Sequence, residues 1–400
     1  MKILDAYDLS IKINGAEFQA EPSNFSFSIK DSIHSLYPKF ILDYNDIGGV
    51  WQEYLLNLEN MIDDITFGIQ NDFLSSKFVV IEDDLMQLTN PQLLAGYNNI
   101  TGLHEYYDYQ EIKGTCYKNT ITNIINQLIS NYNFKSKNVE VTTCNNYWTQ
   151  PLMTDAEFMT DILLPNTYNK AIKSPYFLYI DNTNTFNLKS YSTMIKSLPV
   201  ETYNYNLENI QKPDATTTII DMKRIKMGST VHKQFRKRNC LKINQTTGNL
   251  IKEDDYIYSY PSEPGKYLPI IKNREIQAGT GYEYLSYEYN VDELGLQEAQ
   301  LGRQINSTKK ALSTEKFLIT VIFNPKLVSG KMIEINVPSP EKKTNSEKSI
   351  TYSGKFLIEE CEHVWDSNEK IAVSKLVATK KYIDVNKTNF ILIDKLFKSI

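Results

Sequence analysis

Two stretches far apart in the chain repeat one another: Ser75-Ser-Lys-Phe-Val-Val-Ile-Glu-Asp-Asp-Leu85 and Ser353-Gly-Lys-Phe-Leu-Ile-Glu-Glu-Cys-Glu-His363 align without a gap. Lys77 falls on Lys355, Phe78 on Phe356 and Glu82 on Glu360, with aliphatic residues between. Each stretch follows another alternating run, Ile65 to Ile69 and Met332 to Val337, the second copy having the longer polar loop between its strands. Self-similarity of this kind points to one structural unit written twice. Cys361 and His363 stand where the first copy has Asp83 and Leu85, so the shared unit needs neither a metal ligand nor a base there. On a strand Cys361, His363 and Trp365 project to one face. Cys-x-His offers two zinc donors where a closed site takes about four, so the expectation is a half-buried strand with a locally hydrogen-bonded His and a packed Trp.

The rest of the chain begins in β. Asn14-Gly15 sits between two short alternating runs, the strongest local hairpin signal. Phe25 to Ile29, Lys39 to Asp43, Ile65 to Ile69 and Lys77 to Ile81 read as further strands. Residues 90 to 115 read as loop. Ile121, Ile124, Ile125, Leu128 and Ile129 share one helical face. Thr154-Asp-Ala-Glu157 is a capping box opening a second helix, with Pro165 as its expected end. Tyr176 to Ile180, the turn Asp181 to Asn184, and Thr185 to Leu188 predict a hairpin covering both helices, so this region reads as a small α/β insert. Residues 200 to 290 carry scattered strand signals of no legible pairing. A helix is expected over Asp292 to Leu312, then strands over Lys316 to Phe323, Met332 to Val337, the repeated stretch and Ile371 to Ile383.

Composition excludes several classes. In 400 residues, 41% are apolar and 23% charged, which fits a packed globular protein, and no apolar run approaches the ~20 residues that span a bilayer. Asp5 and Asp8 interrupt any export signal, so folding in a cytoplasm is expected. A net charge of −5 lacks the basic excess of a dedicated nucleic-acid binder. The 27 Tyr and 17 Phe suit strands and broad contact surfaces. Cys116, Cys144, Cys240 and Cys361 form no CxxC pair and read as reduced, buried, small apolar residues.

Candidate chemistry is sparse. His34, His104, His232 and His363 are the available bases, and none accompanies a nucleophile motif. Asp63-Asp64, Asp83-Asp84 and Glu359-Glu360 are adjacent pairs that strands would point to opposite faces, so they read as solvated carboxylates rather than glycosidase pairs. Gly48-Gly49 and Gly279-x-Gly281 lack the Lys and strand-to-helix context of a phosphate loop and read as turns. No catalytic, cofactor or metal residues are expected. Lys223-Arg-Ile-Lys226 through Lys233-Gln-Phe-Arg236-Lys-Arg238 gathers seven basic residues in sixteen. Nucleic acid, an acidic neighbouring subunit and a plain solvated strand are all open readings. Lys233, Arg236, Lys237 and Arg238, with Phe390, Leu396 and Phe397 of the amphipathic segment Phe390 to Phe397, are the candidate partner contacts.

The order of an early NG hairpin, a strand into Asp43, TDAEFMTDILLP with YFLYIDNTNTFNL, FLITVIFNPKLVSGKMIEINV and SGKFLIEECEHVWD resembles the baseplate hub protein of contractile phage tails. That family includes the late control protein D group and the N-terminal part of VgrG spikes in type VI secretion. The resemblance runs from about residue 9 to 383, although residues 200 to 290 do not map onto it.

It implies a mainly β, α+β chain: a first tube-forming β-barrel over 1–112, a small α/β insert over 113–192, strands, loops and a helix over 193–310 contributing to the second barrel, that similar barrel over 311–385, and a tail over 386–400. It implies a homotrimer whose six barrels adapt a hexameric tail tube to a trimeric central spike. The tape-measure protein and passing DNA are lumen contacts it implies, and other baseplate proteins are further partners, without membrane insertion. Its implied place is the virion tail baseplate, assembled in the host cytoplasm. No needle or lysozyme domain follows, so spike or muralytic activity would belong to another chain. A cell-wall hydrolase or carbohydrate-binding tail protein, and a distal tail or tube adaptor, are the alternatives.

Overall fold

The computed structural model describes residues 7–13, 16–17, 25–47, 61–69, 72–84, 95–169, 171–172, 174–205, 217–226, 238–244, 250–255, 282–288, 316–338, 348–349, 352–366 and 371–380. The chain is mainly antiparallel β. Strand β1 (Tyr7–Ile13) turns into β2 (Ala16–Glu17) with Lys12 opposite Glu17, which is the hairpin that Asn14-Gly15 signals. Five strands follow: β3 (Phe25–Ser32), β4 (Lys39–Ile47), β5 (Met61–Ile69), β6 (Asp72–Asp84) and β7 (Ala95–His104). They lie side by side as β3-β4-β7-β6-β5, with β1 beyond β5.

Strand β7 corrects the loop expected over 90–115. Its sequence, Ala-Gly-Tyr-Asn-Asn-Ile-Thr-Gly-Leu-His, is rich in turn formers and lacks apolar alternation, yet it is a central strand between β4 and β6. Gly102 is one reason such a residue sits there. A Cβ at that position would stand 3.1 Å from the Val79 carbonyl oxygen, so the close approach of β6 needs the missing side chain.

Between residues 113 and 196 the chain builds two small sheets and their helices. Strands β8 (Lys113–Thr120) and β10 (Asn145–Met153) pair with each other, while β9 (Ser136–Val139), β11 (Tyr176–Asp181) and β12 (Thr185–Ser190) form a second sheet. Helix α1 (Ile121–Leu128) is capped by the Thr120 hydroxyl and buries Ile121, Ile124 and Ile125 against Leu178, Ile180, Phe186 and Leu188. The Thr154–Glu157 capping box is formed in both directions. Its helix continues as a π-helical stretch, Phe158–Leu163, and stops at Asn166, so Pro165 lies inside the last turn instead of ending it. A further helical turn spans Tyr191–Lys196.

Strand β13 (Pro199–Asn204) leads to β14 (Ile219–Lys226), and β15 (Arg238–Asn244), β16 (Leu250–Asp255) and β17 (Tyr282–Glu288) form a separate three-stranded sheet. The helix expected over Asp292 to Leu312 lies outside the described residues. The chain returns to the main sheet with β18 (Lys316–Ile322), β19 (Met332–Asn336), β20 (Gly354–Asp366) and β21 (Ile371–Lys380).

These last strands repeat the first five in order and register. The order β14-β18-β21-β20, with β19 on β20, matches β3-β4-β7-β6-β5. Phe78 stands opposite His104 and Phe356 opposite Lys380. Met61 and Ile62 pair with Val79 and Phe78, as Met332 and Ile333 pair with Leu357 and Phe356. The counterpart of Met332 is therefore Met61, four residues before the Ile65 run that the sequence offers. Both long strands shift register at the same place, between Val80 and Glu82 and between Ile358 and Glu360. A bulge kept at one position in both copies is a built feature of the unit.

The repeat extends to β4 and β18, where Phe40 faces Gly102 and Phe317 faces Ala378. A Lys-Phe pair thus recurs four times, at Lys39-Phe40, Lys77-Phe78, Lys316-Phe317 and Lys355-Phe356. In each unit the two Phe rings meet, at 5.6 Å for Phe40 with Phe78 and 5.3 Å for Phe317 with Phe356, and all four are fully buried. We expect Phe78→Ala and Phe356→Ala each to lower stability by ~3–5 kcal/mol in urea unfolding, as truncated core aromatics do. Substituting the exposed Lys77 or Lys355 by Ala should shift it by no more than ~0.5 kcal/mol.

Candidate functional site at the junction of the two units

Strand β20 is longer than its partner β19. Its first half pairs with β19, and its second half, Glu360 to Asp366, pairs antiparallel with β3 of the first unit, Glu360 opposite Ser32 and Asp366 opposite Ser26. One strand thereby serves both units. The Ile33 N–H continues the ladder to the Glu359 carbonyl at 2.9 Å.

Glu359 is the residue extruded by the bulge, and this corrects its reading as a solvated carboxylate. Its side chain is 2% exposed and meets Lys316 Nζ at 2.7 Å, His34 Nε2 at 3.1 Å and the Thr379 hydroxyl. The bulge is why: an extra residue re-aims the side chain out of strict alternation. Glu360, the next residue, behaves as expected and pairs at 2.7 Å with Lys30, a half-exposed bridge across β3. Asp63, Asp64, Asp83 and Asp84 lie on β5 and β6.

Asp31 on β3 is 1% exposed and joins three segments. Its carboxylate accepts the Asn182 N–H at 2.8 Å, from the β11–β12 turn, and the Ser329 N–H at 3.1 Å, from the β18–β19 loop. Burial, and then the nearby Asp181 charge, push its pKa up, while the two N–H donors pull it down. The same turn receives Ser76 Oγ of β6 on the Asn182 carbonyl at 3.0 Å and His104 Nε2 of β7 on Asn184 Oδ1 at 3.1 Å. Asp181 holds the turn in shape by accepting from the Thr183 and Thr185 N–H groups and from Asn187 Nδ2. Gly330, at φ +77°, lets the β18–β19 loop pass the insert: a Cβ there would overlap Tyr179 Oη at 1.8 Å.

The Cys361-x-His363 pair is packing, as expected from the first copy. Both residues are fully buried. His363 Nε2 donates to the Leu327 carbonyl at 3.0 Å, Nδ1 lies 2.9 Å from Ser374 Oγ, and Cys361 Sγ donates to the same Leu327 carbonyl at 3.2 Å. Burial pushes the Cys361 thiol up, and a protonated buried thiol is a poor nucleophile. Trp365 is half-buried. Among the described residues no group of three or more His, Cys, Asp or Glu converges on a metal-sized site, and no helix is long and apolar enough to cross a membrane. Cys144 and Cys361 are buried and unbridged, whereas Cys116 is exposed, against the expectation of a buried apolar role: it lies on β8, whose residues are mostly open to solvent.

Of the candidate partner contacts, Lys233, Arg236, Lys237, Phe390, Leu396 and Phe397 lie outside the described residues, as do Gly48-Gly49, Gly279, Gly281 and His232. Arg238 opens β15, in register with Asp255. The earlier part of the basic run is strand β14, with Lys223 exposed. The residues that hold the junction, Asp31, Glu359 and the Asp181 turn, carried no sequence motif beyond the turn itself and the Glu82–Glu360 correspondence.

No family model and no curated protein matches the sequence. Solved structures do. The 43 kDa tail protein of prophage MuSo2 from Shewanella oneidensis superposes with TM-score 0.54 at 11% identity, over 94% of this chain and 99% of that one. The tail protein from Neisseria meningitidis MC58 superposes with TM-score 0.53 at 12% identity, over 94% and 98%. The chain has the fold of phage tail proteins. A type VI secretion component of E. coli aligns more distantly, at TM-score 0.48 and 9% identity over 94% of this chain.

Two consequences follow for stability. Glu359→Ala leaves Lys316 and His34 without their shared carboxylate, and a broken buried ion pair costs ~3 kcal/mol or more; urea midpoints read this, and Glu360→Ala on the half-exposed bridge should cost less than ~1 kcal/mol. Burial holds His104 and His363 at about 4, below the ordinary ~6.5 of an unfolded His. A depressed folded-state pKa means stability is present above pH ~6.5 and lost as pH falls toward 4, by ~2 kcal/mol per His at pH 5. His363→Gln should therefore flatten the fall in denaturation midpoint between pH 7 and 5.

Proposed function

We propose that the chain is a structural hub of a phage tail or related contractile injection machine, located in the tail baseplate and assembled in the host cytoplasm. In this reading the two units close as similar tube barrels, over about 1–112 and, with strands from 193–310, over 311–385, with the α/β insert over 113–192 and a tail over 386–400. Three chains form a ring of six barrels, matching a hexameric tail tube protein on one side and a trimeric central spike protein on the other. The tape-measure protein and DNA are passing occupants of its lumen, and catalysis is no part of its role.

The observation that carries the reading is the repeat itself. Two units with one strand order, one register and one bulge position are what a threefold assembly needs in order to present six equivalent faces. The tail-protein fold over nearly the whole length of two neighbours supports the setting. A non-enzymatic role is supported by the hydrogen bonds that engage both nitrogens of His363 and by the burial of Cys361. Light scattering of the purified protein should give three times the 46.2 kDa chain mass, with no release of sugar or peptide from peptidoglycan. A sixfold mass would favour a tube adaptor, and a monomer that degrades peptidoglycan would favour a hydrolase.

A further inference from the structure

Three segments remote in sequence bring polar atoms to one buried point at the junction. Asp31 of β3 and Asp181 of the β11–β12 turn are 1% and 4% exposed, and Asp181 is near enough for its charge to raise the Asp31 carboxyl. Among the described residues neither carboxylate makes an ion pair. Lys189 acts on Asp181 from beyond bonding distance, half-buried and itself disfavoured as a cation by burial and by Lys331. Two buried acids set this close carry negative charge that no bonded protein cation balances.

Around them stand polar atoms with nothing to bond. Asn182 and Ser329 are each 1% exposed, and the Asn182 side-chain amide and Ser329 Oγ lack a well-formed hydrogen bond. The backbone sets their position. The Asn182 N–H is on Asp31 Oδ2 at 2.8 Å and the Ser329 N–H on Asp31 Oδ1 at 3.1 Å, so each side chain starts beside the carboxylate. The Ser329 hydroxyl faces Asp31 closely enough to favour its ionised form. Buried polar atoms without partners are rare and call for a cause.

We propose that Asp31, Ser329 Oγ and Asn182 Oδ1, with Asp181 as the second carboxylate, bind a divalent oxygen-preferring cation of the Ca2+ class. The ion ties the first unit, the insert and the β18–β19 loop at one point, and the inference is independent of the ring reading. The donor set decides the class. It is all oxygen, because the neighbouring Cys361 Sγ and His363 Nε2 are both engaged by the Leu327 carbonyl, and hard oxygens select Ca2+ or Mg2+ over Zn2+. Mg2+ holds on to several waters in a strict octahedron, which a point this deeply buried does not supply, whereas Ca2+ accepts carboxylate and amide oxygens in irregular geometry. Each Asp31 oxygen, having received one N–H, keeps a lone pair for the ion. Asp181 Oδ2 receives Asn187 Nδ2 and does the same. The N–H groups behind Asp31 are the kind of support that orients a ligating carboxylate.

Equilibrium dialysis of the full chain with radioactive Ca2+ tests it, after unfolding in urea with EDTA and refolding with the ion, since a buried site fills as the chain folds. The expected result is about one Ca2+ per chain that excess Mg2+ does not displace, with slower hydrogen exchange of the Asn182 and Ser329 amides when Ca2+ is present. Asp31→Asn keeps an acceptor for the N–H groups but removes the charge, and should weaken binding at least tenfold. Ser329→Ala and Asn182→Ala each remove one donor and should weaken it several-fold, far-UV circular dichroism reporting that each variant folds. No Ca2+ retained by the refolded wild type at ~1 mM, the weak end of protein Ca2+ sites, overturns the site. Binding unchanged in Ser329→Ala and Asn182→Ala, or exchange slowed equally by Mg2+, overturns it as well. Should a variant fail to fold, the exchange of the two amides in the wild type, with Ca2+ against Mg2+, decides.

Discussion

Backbone pairing between β3 and the far half of β20 is the constraint on which the rest of this molecule depends. A strand edge exposes a row of N–H and C=O groups that must be met by something. Here one strand meets two neighbours along a single edge, β19 first and β3 afterwards, and the change of partner falls at the bulge that turns Glu359 inward. The two units are therefore joined by the same hydrogen bonds that hold each together, rather than by a separate interface that could slide. Lys316 and His34 then meet the buried Glu359 carboxylate at the crossing point, where removing Lys316 would leave that carboxylate without its cation.

The insert does the complementary work from the other side. Its β11–β12 turn reaches β3 through Asp31, β6 through Ser76 and β7 through His104, so three hydrogen bonds from the first unit converge on Asn182 and Asn184. Asp31 is costly to bury, and it is tolerated because both of its oxygens receive backbone N–H groups, one from the β11–β12 turn and one from the β18–β19 loop. Such a group specifies an arrangement more than it adds net stability.

Much of this was legible in the sequence where the signal was periodic. The NG hairpin, the helix carrying Ile121 to Ile129, the capping box at Thr154 and the repeated strands all rest on local patterns that packing then reinforced. The misses have a common cause. Strand β7 carries Gly102 where the close approach of β6 leaves no room for a side chain, and that Gly, with the neighbouring Asn residues, made a central strand look like a loop. Glu359 looked solvated because alternation cannot register a bulge, and the Asp31 joint draws on residues more than a hundred positions apart. The parallel pairing of β13 with β19 is likewise set by distant partners.

Where the two units agree and where they differ follows from what each position faces. Lys-Phe recurs at all four equivalent strand positions because the Phe pair fills each unit's own core in the same way, while the Lys residues diverge: Lys77 and Lys355 face out and Lys316 turns onto Glu359. The bulge residue differs, exposed Ile81 in one and buried Glu359 in the other, because only the second lies beneath the crossing with β3 and beside Lys316 and His34. Leu85 and His363 differ for a related reason: His363 serves the Leu327 carbonyl and Ser374, partners supplied by the loop after β18 and by β21 of the second unit. A duplicated frame thus keeps its backbone register, which every neighbour reads, and lets side chains drift wherever one copy alone meets an extra element. Register is the inherited property.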